Sequence, residues 1–352
     1  MSARVLFMNA LPKLSYVLLS HNREKYIRGA IESAFAQDYE GELEYIFSDD
    51  CSTDKTFEII KECVAEYKGN RRVVVTQTPR NLHLAGNTNH AVQFVTGDFV
   101  IRADDDDYSA VDRCSLIGKT IAENPGCTFV LTKQRRFTDA QDEEARKACS
   151  TPCSETPKVS IVDIEKGHDG LSAFFSKDCS HQVWSIRVYK EFGAIPLDGY
   201  YVDDVICFCR ANALGFGIAI QNNTVFVRDG SSNMCRGGDD GARGYNAIIR
   251  LEQFNDKYFN LTYQPLEQTI ADIREHMQNS RPYAYATASN FFDALSKDMK
   301  ERSLLCTYWR KGTLNRIKIK NKLRWKGLFN WLRCLPLPIY AGLLAIYRKI
   351  KH

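Results

Sequence analysis

Residues 97–107 read GDFVIRADDDD, a β-branched apolar run that ends in four consecutive carboxylates, Asp104, Asp105, Asp106 and Asp107. Phe99, Val100 and Ile101 predict a buried strand. Four adjacent acids repel one another, so their place at the end of such a strand makes sense if a hard divalent cation is held there. On a straight strand Asp104 and Asp106 would share a face. Those two, or one of them with Asp105, are therefore the candidate ligands for Mn2+ or Mg2+, with diphosphate oxygens completing the shell. A solvated acidic loop is the plainer reading of a charge run; the apolar strand directly before it favours the metal.

Two other acidic pairs carry possible chemistry. SDDCSTD, residues 48–54, follows the apolar run LEYIF, and a carboxylate at that strand end can accept the N–H of a nucleobase. Asp50 is the candidate base reader with Asp49 beside it, while Ser52, Thr53 or Asp54 caps the helix that follows. Asp203 and Asp204 open a later helix, whose dipole favours ionised carboxylates, half of what a general base requires. Capping of that helix by an Asp explains the pair nearly as well. The loop Ser20, His21, Asn22, Arg23 sits where a base or ribose would lie, although a surface histidine would look the same. Arg80, Asn81 and Asn87, ahead of the metal strand, are further candidates for nucleotide contact.

The elements that must position these groups alternate. Strands are predicted at 14–19, 43–47 and 72–76, and helices at 24–37 and 57–67. A loop and helix follow over 81–95, then the strand that delivers the aspartates. This β-α-β-α-β order predicts an α/β fold with a mostly parallel sheet and helices on both faces, its ligands at the carboxyl ends of the strands. Beyond it, 111–123 reads as a helix, 127–132 as a strand, 185–192 as a helix, 203–214 as a helix closed by Gly215, and 218–227 as a strand. Residues 138–170 lack periodicity and carry Pro152 and Pro157, which suggests a variable insertion contacting substrate or a partner. The glycine-rich 230–244 is a candidate lid, and the pattern from Tyr245 onward is helical.

The chain has 352 residues, 44% of them hydrophobic and 26% charged, as an ordinary globular protein would. Its 12 cysteines show no paired C-x-x-C spacing, which favours reduced, mostly buried thiols in the cytosol. Neither a P-loop G-x-x-x-x-G-K-[ST] nor a dinucleotide G-x-G-x-x-G is present, which argues against P-loop ATPases and dehydrogenases. The N-terminus is interrupted too early by Pro12 to suggest a signal peptide, and no apolar run approaches the ~20 residues of a spanning helix.

Charge is divided unevenly. Residues 310–352 hold 12 of the 47 basic residues and no acid, which leaves 35 basic against 43 acidic residues in the rest. Trp309, Leu314, Ile317, Ile319, Leu323, Trp325, Leu328, Phe329 and Trp331 interleave those cations. The pattern suggests amphipathic helices lying on an anionic membrane surface, each nearby cation adding about 1 kcal/mol. A nucleic-acid patch is less favoured, because phosphate binding needs no continuous apolar stripe; a C-terminal helix packed on the main domain remains an alternative.

Taken in order, LSYVLLSHN, AIESAFAQDY, YIFSDDCSTD and GNTNHAVQFVTGDFVIRADDDD resemble the nucleotide-binding half of family 2 glycosyltransferases of the GT-A type. The likeness is strong over 14–113 and weaker to about 230. It implies that Asp50 contacts a uracil ring, with Ser20, His21, Asn22 and Asp49 around the nucleotide. It further implies that Asp104, Asp105 and Asp106 form the D-x-D signature for ribose and metal, and that Asp204, preceded by Asp203 in place of the usual Glu, activates the acceptor. Many relatives carry a histidine soon after an arginine on the last strand. Here Arg228 is followed by Asp229 and Gly230, a departure that bears on how the diphosphate is held after sugar release.

The implied reaction is an inverting, metal-dependent transfer from a nucleotide-sugar, UDP-sugars first, to a hydroxyl of a lipid-linked or cell-surface glycan. A sugar-1-phosphate nucleotidylyltransferase and a non-catalytic membrane adaptor are the alternatives, and no nucleic-acid partner is expected. The expected layout is a GT-A domain over 1–235, a helical extension over 236–308 and a membrane-associating tail over 309–352. The expected location is the cytoplasm, peripheral on the inner face of the plasma membrane.

Overall fold

The computed structural model describes residues 10–153, 157–162, 182–195, 203–229 and 269–280, with single positions at 285, 289 and 293; of 162 and 203–205 it describes the backbone only. The elements are β1 (Leu14–Ser20), α1 (Ile27–Phe35), β2 (Leu43–Asp49), α2 (Thr56–Glu66), β3 (Val73–Gln77), α3 (His83–Val92), β4 (Phe99–Asp104), β5 (Tyr108–Ser109), α4 (Arg113–Glu123) and β6 (Cys127–Phe137). A 3-10 turn (Asp139–Gln141) then leads to α5 (Asp142–Cys149), β7 (Val159–Val162), β8 (Val183–Ser185), α6 (Arg187–Phe192), α7 (Asp203–Leu214) and β9 (Phe216–Arg228).

Among the described residues these strands form one nine-stranded sheet in the order β3-β2-β1-β4-β8-β6-β9-β5, with β7 also on β9. Strands β3, β2, β1 and β4 are mutually parallel, and β6 and β9 run the same way; β5, β7 and β8 run against them. The mostly parallel sheet expected from the sequence is therefore present. The chain winds outward from β1 to β2 and β3, then crosses back over to place β4 on the other side of β1. Such a reversal opens a crevice at the carboxyl ends of the two central strands. Register sets Ser20 beside Asp49, and Leu19 beside Asp104, so three of the motifs identified in the sequence finish on one edge.

Alternation along the strands builds two cores. Tyr16, Leu18, Tyr45, Phe47 and Ile101 face α1, α2 and α4 through Ile27, Ile31, Ile60 and Ile117. Val17, Leu19, Ile46, Val100 and Trp184 face the opposite layer, with Ala85 of α3, Val188 of α6 and Ile206 and Phe208 of α7. Both faces of a parallel strand are thus apolar, which is why LSYVLL and FVI read as continuous hydrophobic runs. Ile270, Ile273 and Met277 of the helical stretch 269–280 join that second core. Close approach fixes the start of β4, where a Cβ on Gly97 would come within 2.9 Å of backbone atoms of both Lys13 and Leu14.

Three expectations change. Residues 138–170 are not without order where described. They hold α5, whose buried side Ala145 and Cys149 is only two residues wide and too narrow to show periodicity among charged neighbours, and they hold edge strand β7. β6 runs five residues past Thr132, because its polar end Lys133–Phe137 is carried by pairing with β9. The stretch 185–192 divides into the end of β8 and α6. The eight described cysteines are all free thiols, six of them buried. Residues 230–268 and 294–352, including the candidate lid and the basic tail, lie outside the described residues, and among the described ones no helix is long and apolar enough to cross a membrane.

Candidate active site

The loop after β1 is the centre of the site. The His21 backbone N–H donates to Asp105 Oδ2 at 2.9 Å, and the ring Nδ1 lies 2.7 Å from the Asp50 carbonyl oxygen. A carbonyl can only accept, so Nδ1 carries the proton and Nε2 is the acceptor for the Asn81 and Asn22 side-chain amides, at 3.0 and 3.1 Å. One residue thereby ties the loops after β1, β2 and β4 together and brings Asn81 to the same place.

Backbone strain marks the same loops. Asn22 and Cys51, which directly follow His21 and Asp50, both have φ of +54°, a region that non-glycine residues rarely enter. Asn22 is held in this conformation locally: its Oδ1 accepts the Thr53 N–H at 2.8 Å and its own N–H donates to Ser52 Oγ at 2.8 Å. Its side chain therefore latches two loops.

The two acids of the second motif have separate roles. Asp49 is fully buried, its Oδ2 accepting from the Ser52 N–H and Gln77 Nε2 and its Oδ1 from the Ser20 and Ser52 hydroxyls. Both Asp49 oxygens are thus engaged within the protein, and the Ser20 hydroxyl with them. Asp50 differs, because both hydrogen bonds to its carboxylate, from Thr78 Oγ1 and the Leu82 N–H at 2.8 Å each, fall on Oδ1. Those two bonds orient Oδ2. Asp54 accepts the Thr56 N–H at 2.9 Å, at the start of α2.

The acidic quartet departs from straight-strand geometry. β4 stops at Asp104, and Asp105 and Asp106 form a turn, so the shared strand face expected for Asp104 and Asp106 does not exist. The pair brought together is Asp105 and Asp106: Arg23 Nε lies 3.5 Å from Asp105 Oδ1 and 3.6 Å from Asp106 Oδ2. Asp104 lies 3.3 Å from the Arg102 guanidinium instead. Asp107 accepts the Arg228 N–H at 2.7 Å. Burial, reinforced by the charges of Asp106 and Asp104, pushes the Asp105 carboxyl well above its ordinary range, although Arg23 and the His21 N–H oppose this.

That electrostatic stress is what an added cation would relieve, and oxygen donors suit Mn2+ or Mg2+. Among the described residues no three His, Cys, Asp or Glu side chains close into a cation cage. A site with one or two carboxylates, completed by substrate phosphates and water, is the usual arrangement for Mg2+, so these residues fit the group with the nucleotide bound. Asp203 and Asp204 sit at the first turn of α7; their side chains lie outside the described residues. The chain entering that region is held by Asn89, which exchanges two hydrogen bonds with the Ile195 backbone, and by Arg210, which donates to the Gly193 and Ala194 carbonyls.

Sequence reasoning missed the contact of Arg23 with the acidic turn and the part played by Thr78, along with the segment 139–142 described below. Arg23 adjoins a motif, but no spacing rule assigns an arginine on the loop after β1 to the turn after β4. Thr78 is concealed in a loop.

A doubly wound sheet with a carboxylate after its second strand and an acidic turn after its fourth, joined at the switch point, has the architecture of a GT-A glycosyltransferase. Residues 15–173, just under half of the chain, match the family described as Glycosyl transferase family 2. EpsE of Bacillus subtilis, which carries a glycosyltransferase name, is 38% identical over 102 residues, 29% of this chain and 36% of that one. The poly(ribitol-phosphate) beta-N-acetylglucosaminyltransferase TarS of Staphylococcus aureus is 35% identical over 98 residues, 27% of this chain and 16% of its own length. The similarity thus spans about a third or less of these relatives. The crystal structure of S. aureus TarS residues 1–349 in complex with UDP-GlcNAc covers 96% of this chain and 92% of its own, with a TM-score of 0.56 and 17% identity, a likeness of fold.

Proposed function

We propose that the protein is an inverting, metal-assisted glycosyltransferase that moves a sugar from a nucleotide-sugar to a hydroxyl of a lipid-linked or cell-surface glycan. The observation that supports this reading is the double tie of His21, to the Asp50 carbonyl and to the Asp105 carboxylate, which draws Asp50 and Asp105 together at the ends of β2 and β4. In this reading Asp50 Oδ2 accepts the N–H of the base, Asn81 and the His21 loop border the ribose, and the Asp104–Asp106 turn faces the diphosphate. A divalent cation held there would stabilise the departing diphosphate charge. Asp204, favoured in its ionised form by the α7 dipole, takes the proton of the acceptor hydroxyl, and the oxygen attacks the anomeric carbon from the face opposite the nucleotide. UDP is the first base to test, since the TarS structure was solved with UDP-GlcNAc.

The test screens nucleotide-sugars by thermal shift with Mn2+ and with chelator, a ligand at 100 times its Kd adding about 2.7 kcal/mol of stability. Asp204→Asn is then expected to bind the donor as the unmutated protein does while transfer falls by at least about a hundredfold, the size of a general-base contribution. Undiminished transfer would remove Asp204 as the base. No stabilisation by any nucleotide-sugar would remove the donor reading altogether.

For the tail we propose peripheral attachment to an anionic membrane, on the charge segregation of residues 310–352. Removing 310–352 is expected to move the protein from the membrane to the soluble fraction, and continued sedimentation with membranes would show that the anchor lies elsewhere.

A further inference from the structure

Arg228 ends β9 and is 3% exposed. Its own N–H donates to Asp107 Oδ1 at 2.7 Å and its Nε to the Asp106 carbonyl oxygen at 3.0 Å, so it grips the acidic turn at two successive residues. The far end of the guanidinium is held in turn: Nη1 donates to Asp139 Oδ1 at 2.7 Å, and Nη2 donates to Asp142 and to the Tyr108 hydroxyl, the latter at 2.8 Å. Its faces are covered by Tyr26 and Phe137, whose ring centroids each lie 4.5 Å from the guanidinium carbon. Asp139 also receives Lys25 at 2.7 Å and the Tyr26 hydroxyl at 3.1 Å, which joins this cluster to the chain just beyond the His21 loop.

Stability alone does not call for such a cluster. A buried ion pair is often replaced by apolar side chains at no loss, and Tyr26, Tyr108 and Phe137 already form an apolar surround. The bond to Asp107 comes from the backbone N–H and would survive a hydrophobic residue at 228, but such a residue cannot hold the Asp106 carbonyl oxygen. A fork of fixed N–H donors can satisfy several acceptors at once in set directions, which an ammonium on a flexible stem cannot.

We propose that Arg228 is a positioning residue that fixes the Asp106–Asp107 turn so that its carboxylate meets the metal and diphosphate, and that Asp139 and Asp142 hold the guanidinium in that orientation. The segment 139–142, read from sequence as part of a variable insertion, is on this account a built-in support of the donor site. The inference rests on the metal-assisted reading above. Arg228 acts only through residues 106 and 107, and outer partners of this kind are worth about 10- to 100-fold in metal affinity.

Arg228→Lys in the full chain keeps the buried positive charge but releases the Asp106 carbonyl. Two quantities are read: Mn2+ uptake by electron paramagnetic resonance with UDP present, and UDP binding by calorimetry in chelator. The expected result is a roughly tenfold or greater loss of Mn2+ affinity, with UDP affinity in chelator unchanged, since the Asp50 and His21 contacts are untouched. Should Arg228→Lys fail to fold, Asp142→Asn, which leaves Arg228 in place with one holder neutralised, carries the test with a smaller loss in the same direction. Unchanged Mn2+ affinity, or an equal loss of UDP affinity in chelator, would overturn the proposal and reduce Arg228 to a structural residue. An unmutated protein that takes up no Mn2+ with UDP would instead defeat the metal reading, and this inference with it.

Discussion

Asp50 is where the structural role and the proposed recognition role separate most cleanly, because both of its hydrogen bonds fall on one oxygen. Oδ1 accepts from Thr78 Oγ1 and from the Leu82 N–H at 2.8 Å each, in a residue 3% exposed. Hydrogen bonds to a charged group contribute about 1.5–3 kcal/mol each, so Asp50→Ala, which deletes both, is expected to cost about 3–6 kcal/mol of stability. Asp50→Asn keeps an oxygen at Oδ1. Neutral hydrogen bonds of about 0.5–1.5 kcal/mol remain there, and burying an amide is easier than burying a carboxylate, so the loss should stay near about 1 kcal/mol. At the other position the substitution puts an NH2 where, in the proposed function, Oδ2 accepts the N–H of a base. One charge-assisted hydrogen bond of about 1.5–3 kcal/mol is lost, which corresponds to roughly 10- to 150-fold in affinity. Urea denaturation measures the first quantity and calorimetric titration with UDP the second. If Asp50→Asn binds UDP as tightly as the unmutated protein, the base-reading role is refuted. If Asp50→Ala is no less stable than Asp50→Asn, the assignment of the Oδ1 bonds is refuted.

Asp105 should give the site a pH signature. Its carboxyl titrates well above the ordinary range in the folded protein, through burial and the neighbouring acids, whereas in the unfolded chain it ionises near about 3.9. Between those two values the folded protein retains a proton that the unfolded chain has lost, so stability falls as pH rises through that window and stays reduced above it. Asp105→Asn still presents an acceptor to the His21 N–H, and in chelator it should melt above the unmutated protein at neutral pH, with the gap closing below about pH 4. A lower melting point for the variant at neutral pH would show that Asp105 is stabilised where it stands. Adding Mn2+ and UDP should favour the unmutated protein instead.

The sequence by itself determined the alternation of strands and helices and the strand ends on which the acids fall. Those features are local: a run such as LSYVLL is apolar on both faces because a parallel strand between helix layers must be, and SDDCSTD and RADDDD announce themselves by composition. It also separated Asp54, which accepts the first N–H of α2, from the acids before it. Only the tertiary structure decided what each acid does. Asp49 and Asp50 are neighbours in the chain, yet one is enclosed by Ser20, Ser52 and Gln77 while the other keeps an oxygen directed by Thr78 and Leu82, a distinction set by where β3 and the next loop pass. The turn at Asp105, the approach of Arg23 and the grip of Arg228 depend on residues far apart in sequence. Periodicity carries no record of such pairings, because they arise only when the register of β1, β4 and β9 brings their ends to one edge.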